Sequence, residues 1–205
     1  MNTYNNNRKN KKIAALSIIF CSILGFLIYY NYTTLIPKLE EHCEGPAYFY
    51  IYGNTKKNIS IPLEALLNGT YSRIENQNAF FRNAFGTEFN STISGVLLWD
   101  ILQKHDIIAE NATHIYFEAS DGYKSPKIPL SLLSKYPDQI LLLTHEKNMI
   151  LKAKEEGGDG PIKGYVSISA IENNQELRDL VEMGDDHHIY NTLFAVKWVA
   201  AIKII

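Results

Sequence analysis

Residues 13–30 of this chain carry no charged side chain, and four cations, Arg8, Lys9, Lys11 and Lys12, stand directly before them. A segment that apolar constrains the chain more than any other, because its backbone must satisfy its own hydrogen bonds in lipid. A helix needs roughly 20 apolar residues to cross a bilayer, and the run reaches that length if it continues to Ile36. Lys38 is the only cation soon after it, followed by Glu40, Glu41 and Glu44. The positive-inside rule leaves the amino terminus cytoplasmic and residues 37–205 outside. A cleaved signal peptide is the rival reading. The run is long for one and ends in Tyr29-Tyr30-Asn31-Tyr32, without a small-residue cleavage pattern.

The expected order is a basic tail at 1–12, a transmembrane anchor at 13–36, a stalk at 37–46 and one domain at 47–205. The whole chain has 20 Lys and Arg against 22 acids. With the four tail cations set aside, the exterior part stands at −6. That balance argues against nucleic acid or anionic lipid as a partner. The expected partners are the bilayer, through one helix, and an unidentified small ligand or protein. Cys21 lies in the apolar run and Cys43 just past it, so the domain has no internal disulfide. Cys43 is open to pairing between chains or to standing as a free thiol. Five Asn-x-Ser/Thr sequons occur, at Asn31, Asn58, Asn68, Asn90 and Asn111; they agree with an exterior, glycosylatable domain, though Asn31 sits too close to the membrane to be a good acceptor.

Within the domain, aromatic and β-branched runs predict strands at 47–52, 59–61, 79–85, 114–119, 139–144, 149–152, 163–169 and 193–205. Helical spacing predicts short helices at 63–67, 94–105, 128–133 and 175–183, with Ser94 as the N-cap of the second. Strands outnumber helices and short helices interrupt them irregularly. The fold class is α+β with a mixed sheet, and the 94–104 helix is expected to pack on a sheet containing strands 114–119, 139–144 and 194–204.

Few residues carry obvious chemistry. Asp185-Asp186-His187-His188 offers metal-ligating groups, but adjacent histidines in extended chain point to opposite faces, and the segment reads as a polar turn. The loop 155–161 is rich in glycine, yet Glu155, Glu156 and Asp159 oppose a phosphate. It reads as a solvated loop. Trp198 reads as a core residue. No hydrolase elbow, zinc-protease motif or Cys-x-x-Cys is present.

Four pieces, taken in order, carry a resemblance. They are Gly95-Val-Leu-Leu-Trp-Asp-Ile-Leu102, Asp121-Gly122-Tyr123, the strand 139–144 followed by Gly157-Gly-Asp-Gly-Pro-Ile162, and Lys197-Trp198-Val199. Together, residues 47–205 resemble the molybdopterin-binding domain of sulfite-oxidase-type oxidoreductases. The resemblance implies an α+β fold with a mixed sheet. It also implies cofactor-binding roles for Asp121, Gly122, Tyr123, Lys163 and Lys197, and makes molybdopterin the cofactor to consider. Members that use molybdenum supply a cysteine thiolate from the segment before the Gly-Val-x-Leu helix. Here that segment, 78–90, has no cysteine, and amide or aromatic groups do not replace a soft thiolate. Lys163 stands where members commonly carry arginine, keeping the charge without the planar fork. No catalytic or metal-ligating residue is therefore assigned. The expectation is a membrane-anchored, extracytoplasmic, non-catalytic binding or interaction module without a cofactor. The alternative is a membrane-tethered oxidoreductase that still uses molybdopterin. On the first reading, Lys163→Ala leaves stability nearly unchanged.

Overall fold

In Tyr48–Gly53 (β1), Phe49 and Ile51 are buried while Tyr48 and Tyr50 face out, the alternation a half-covered strand imposes. This computed structural model describes residues 48–183 and 188–205. The chain returns antiparallel as Ile59–Pro62 (β2), and Pro62 leads into a 3₁₀ turn over Leu63–Leu66. Arg73–Arg82 (β3) and Glu88–Leu97 (β4) form a long antiparallel hairpin, followed by the helix Leu98–Lys104 (α1). His114–Ala119 (β5), Ile128–Pro129 (β6), Leu130–Lys135 (α2), Ile140–Glu146 (β7) and Met149–Ile150 (β8) come next. Lys163–Val166 (β9), Ile168–Glu172 (α3), Gln175–Val181 (α4), Glu182–Met183 (β10), His188–Ile189 (β11) and Val199–Ile204 (β12) complete the order.

The α+β class holds, but the strands divide into two five-stranded sheets, with β10 and β11 as a separate two-stranded ribbon. One runs β2-β1-β12-β5-β6 and is mixed, because β1 and β12 are parallel while its other pairs are antiparallel. The other runs β3-β4-β7, with β8 and β9 pairing different stretches of β7, and is antiparallel throughout. Strands 114–119 and 199–204 thus belong to the first sheet and 140–146 to the second, so the expected single sheet is corrected. Residues 140–144 are buried without a break because both faces of β7 are covered. Leu142 joins a large core with Phe49, Ile51, Phe117, Ile202 and α1. Leu141 and Leu143 join a smaller core with Phe81, Ile93 and Tyr165.

One side chain bridges the two edge strands of the second sheet, β3 and β9. Asn191, almost fully buried, donates its side-chain amide to the carbonyls of Phe80 (3.1 Å) and Val166 (3.2 Å). Its Oδ1 accepts from the Arg82 amide at 3.0 Å. One side chain therefore ties β3 to the end of β9, satisfying edge groups that would otherwise be buried unpaired.

Two further local expectations are corrected. Ser94 is not a helix cap: it lies buried in β4, its hydroxyl accepts from the Asn76 amide at 2.9 Å, and α1 starts only at Leu98 without a side-chain cap. The closing strand starts at Val199, because Trp198 has φ +54°, which breaks the extended run. The tail, anchor and stalk expected at 1–46 lie outside the described residues, as do residues 184–187. Among the described residues, no helix is long and apolar enough to cross a membrane.

Candidate functional site

Strand β5 ends at Ala119, and the chain turns sharply through Asp121-Gly122-Tyr123. The Asp121 carboxylate accepts the Tyr123 amide at 3.0 Å, and Gly122 takes φ +92°, a conformation that costs a residue without Cβ little. The turn aims Tyr123 at the segment before β12, where its hydroxyl donates to the Leu193 carbonyl at 3.0 Å. Burial pushes the Tyr123 phenol up from its ordinary pKa. That segment enters through a 3₁₀ turn at Thr192–Phe194 and passes Lys197 and Trp198. Between the two pieces lies a cleft of about 330 Å³, lined among others by Asp121, Tyr123, Thr192, Lys197 and Trp198. Two motifs some 75 positions apart are thus brought together because β5 and β12 are neighbours in one sheet.

Trp198 is the most constrained of these residues. A bulky side chain at φ +54° costs of order 1–3 kcal/mol and persists only where the surroundings over-determine it. Here its amide donates to the Asp159 carbonyl (3.0 Å), its carbonyl accepts from the Ser120 amide (2.9 Å), and its indole N–H donates to the Gly158 carbonyl (2.6 Å). The Lys154 ammonium sits 4.3 Å from the ring centroid, a cation–π contact. The residue expected in the core is half-buried and forms a wall of the cleft.

Lys163 and Lys197 meet around Asp159 rather than around a ligand site. Lys197 Nζ is 2.8 Å from one Asp159 oxygen, and Lys163 Nζ is 3.5 Å from the other. Lys163 is buried, pairs more closely with Glu146 at 2.7 Å, and does not line the cleft. The chain Glu146–Lys163–Asp159–Lys197 alternates in sign and closes on itself electrically.

The Gly-rich loop is shaped by close packing. A Cβ on Gly158 would lie 2.2 Å from the Lys152 carbonyl oxygen, and one on Gly160 would lie 2.5 Å from the Leu151 Cβ. Its amides are bonded inside the loop: Gly157 to Lys154, Gly158 to Ala153 and Gly160 to Lys152. None of these three is left to cradle an anion.

These donors do not fit the anionic pterin that the sequence resemblance implies. Both matching lysines already hold carboxylates, and the amides of Gly157, Gly158 and Gly160 are occupied. Among the described residues, no group of His, Asp and Glu could hold a metal ion either. Thr192 and Asn191 escaped the sequence reading. Neither stands in a recognisable motif, and each gains its role from parts of the chain distant in sequence, Asn191 from Phe80, Arg82 and Val166 and Thr192 from the 119–123 turn.

No protein-family model matches the chain, and no curated protein matches it. Among solved structures, it is similar to the sulfane dehydrogenase SoxCD from Paracoccus pantotrophus, at 17% identity and a TM-score of 0.55. The match covers 80% of this chain and 39% of that one, so this chain spans well under half of its neighbour's length. At that identity the likeness shows the fold. It agrees with the α+β architecture, of sheets and few short helices, that the resemblance to sulfite-oxidase-type domains implies.

Proposed function

We propose that residues 47–205 act as a non-catalytic binding module of the sulfite-oxidase molybdopterin-binding fold, using the cleft between the 121–123 turn and the 192–198 segment. A single-pass anchor at 13–36 carries it on the outer side of the cell membrane. The observation that carries the reading is the pairing of Lys163 and Lys197 with Glu146 and Asp159, where the resemblance implies ligands for a phosphate. Displacing Asp159 from Lys197 to admit a phosphate exchanges one charge-assisted contact for another, with little net gain. A thiolate–metal bond that would add the missing affinity has no donor in 78–90. The net charge of −6 for residues 37–205 speaks against nucleic acid as the partner. The sequon asparagines Asn58, Asn68, Asn90 and Asn111 are all exposed, in keeping with an exterior location.

Elemental analysis and pterin fluorescence of the purified full chain test the assignment. The expected result is neither molybdenum nor a pterin after acid denaturation. Molybdenum at about one atom per chain would instead restore the oxidoreductase reading. Protease added to intact cells tests the topology: the domain should be removed, and protection of it with digestion of the amino-terminal tail would reverse the orientation.

A further inference from the structure

The cleft's polar groups are unequally committed. Lys197 is held by Asp159, the Tyr123 hydroxyl by the Leu193 carbonyl, and the Trp198 indole N–H by the Gly158 carbonyl. Asp121 differs. Its carboxylate accepts one backbone amide and has no cationic partner among the described residues, although it is exposed at the cleft wall. Tyr123 and Trp198 both line the cleft, and the Trp198 ring already receives one ammonium, that of Lys154. An anion entering this space meets Asp121 unshielded and gains Lys197 only by taking it from Asp159. A cation meets an uncompensated carboxylate and two rings, the combination that recognises ammonium groups. A volume of about 330 Å³ suits a small molecule and not a macromolecular segment.

We propose that the cleft binds a small organic cation of the amine or methylated-ammonium class, with Asp121 as its counter-charge and Tyr123 and Trp198 as its walls. The proposal rests on the binding-module reading and gives its ligand a chemical class. It also reverses the charge preference implied by the resemblance, from an anionic to a cationic guest.

The test uses the full chain in neutral detergent micelles, with Trp99→Phe so that emission reports Trp198. Choline and 1,4-diaminobutane are titrated at constant ionic strength, with sodium phosphate and glucose as comparison probes, and calorimetry gives the affinities. At least one cation should give a saturable change, with phosphate and glucose silent. Asp121→Asn should weaken binding by about tenfold and Tyr123→Leu by about threefold to tenfold, with thermal melts confirming that each variant is folded. Asp121 is exposed and makes one hydrogen bond, so its variant should fold; Tyr123→Leu tests the aromatic wall independently. Silence of both cations overturns the proposal. Saturation by phosphate with both cations silent overturns it too, while leaving a binding module in place. Molybdenum in the purified chain would remove the binding-module reading itself, whatever the titrations show.

Discussion

Lys163 and Glu146 form an ion pair at 2.7 Å, with the lysine side chain only 6% and the glutamate 14% exposed to solvent. Removing one partner of such a pair strands the other charge away from water. Lys163→Ala, silent on the sequence reading, is therefore expected to destabilise the domain by about 2–4 kcal/mol, below the full cost for a buried pair because Glu146 keeps some water contact. The double variant Lys163→Met/Glu146→Gln should recover much of that loss. Urea melts of the three proteins check both statements, and an unchanged midpoint for Lys163→Ala would refute the first.

Gly95 faces the backbone of β7 so closely that an added Cβ would lie 2.5 Å from the Leu142 carbonyl oxygen and 2.9 Å from the Leu143 Cα. These are backbone atoms of a strand buried on both faces, so they cannot step aside as a flexible side chain would. Gly95→Ala should cost about 3 kcal/mol or more, at the upper end for overpacking. Gly69→Ala, whose added Cβ meets nothing within 4 Å, is the comparison, with only the strain of its φ of +80° to bear. Thermal unfolding should separate the two by several degrees.

Asn191→Ala removes the clamp between β3 and β9. It leaves the Phe80 and Val166 carbonyls and the Arg82 amide without the side-chain partner they have now. The expected loss is about 2–4 kcal/mol, since each buried polar group left unpaired costs about 1–3 kcal/mol and water reaches some of the vacated space. Hydrogen exchange should locate the damage at residues 79–82 rather than across the first sheet.

The Tyr52 hydroxyl donates to Glu118, which also pairs with Lys124 at 3.0 Å. The hydrogen bond to Glu118, aided by burial, pushes the Tyr52 phenol up to about 12. Burial alone would raise the Glu118 carboxyl, but hydrogen bonds from Tyr52 and Lys124 outweigh it and hold that carboxyl below the usual range. With a folded value lower than the unfolded one, Glu118 adds stability above the ordinary glutamate range, about 4.3, and that stability fades as pH falls through the folded value. Tyr52, raised when folded, adds stability that is full below about 10 and fades as pH climbs toward 12. Tyr52→Phe should shift the Glu118 titration upward, seen by carboxyl NMR, and flatten the acid limb of the stability curve. An unmoved titration would sink this account.

Residues were legible where one face of an element was covered and opaque where distant chain decided the outcome. His114–Ala119 alternates apolar and polar side chains over its whole length and was read to the residue. Strand β4 was missed, because its first half, Glu88 to Asn90, is exposed on both sides and carries no period, while Ser94-Gly95 imitates a helix start. Gly95 is there for the approach of β7, a reason invisible without the partner strand. At the candidate site, the 121–123 turn could be read from its own residue types. The commitment of Lys163 and Lys197 to carboxylates could not, because Glu146 and Asp159 reach them only through strand pairing and the loop that covers it.

The parallel pairing of β1 with β12 sets the timetable of folding. Tyr50 lies opposite Ala201, so the first described strand has no parallel neighbour until about 150 further residues have been made, a contact as non-local as this domain allows. The β3–β4 hairpin can close early from contacts local in sequence. The first sheet cannot, and a nascent chain would wait with Phe49, Ile51 and Phe117 uncovered. Such an interval favours association with a chaperone or with another nascent copy. Fusing the segment 199–204 ahead of β1 in a circular permutant would shorten that wait and should speed refolding while leaving the folded stability nearly the same.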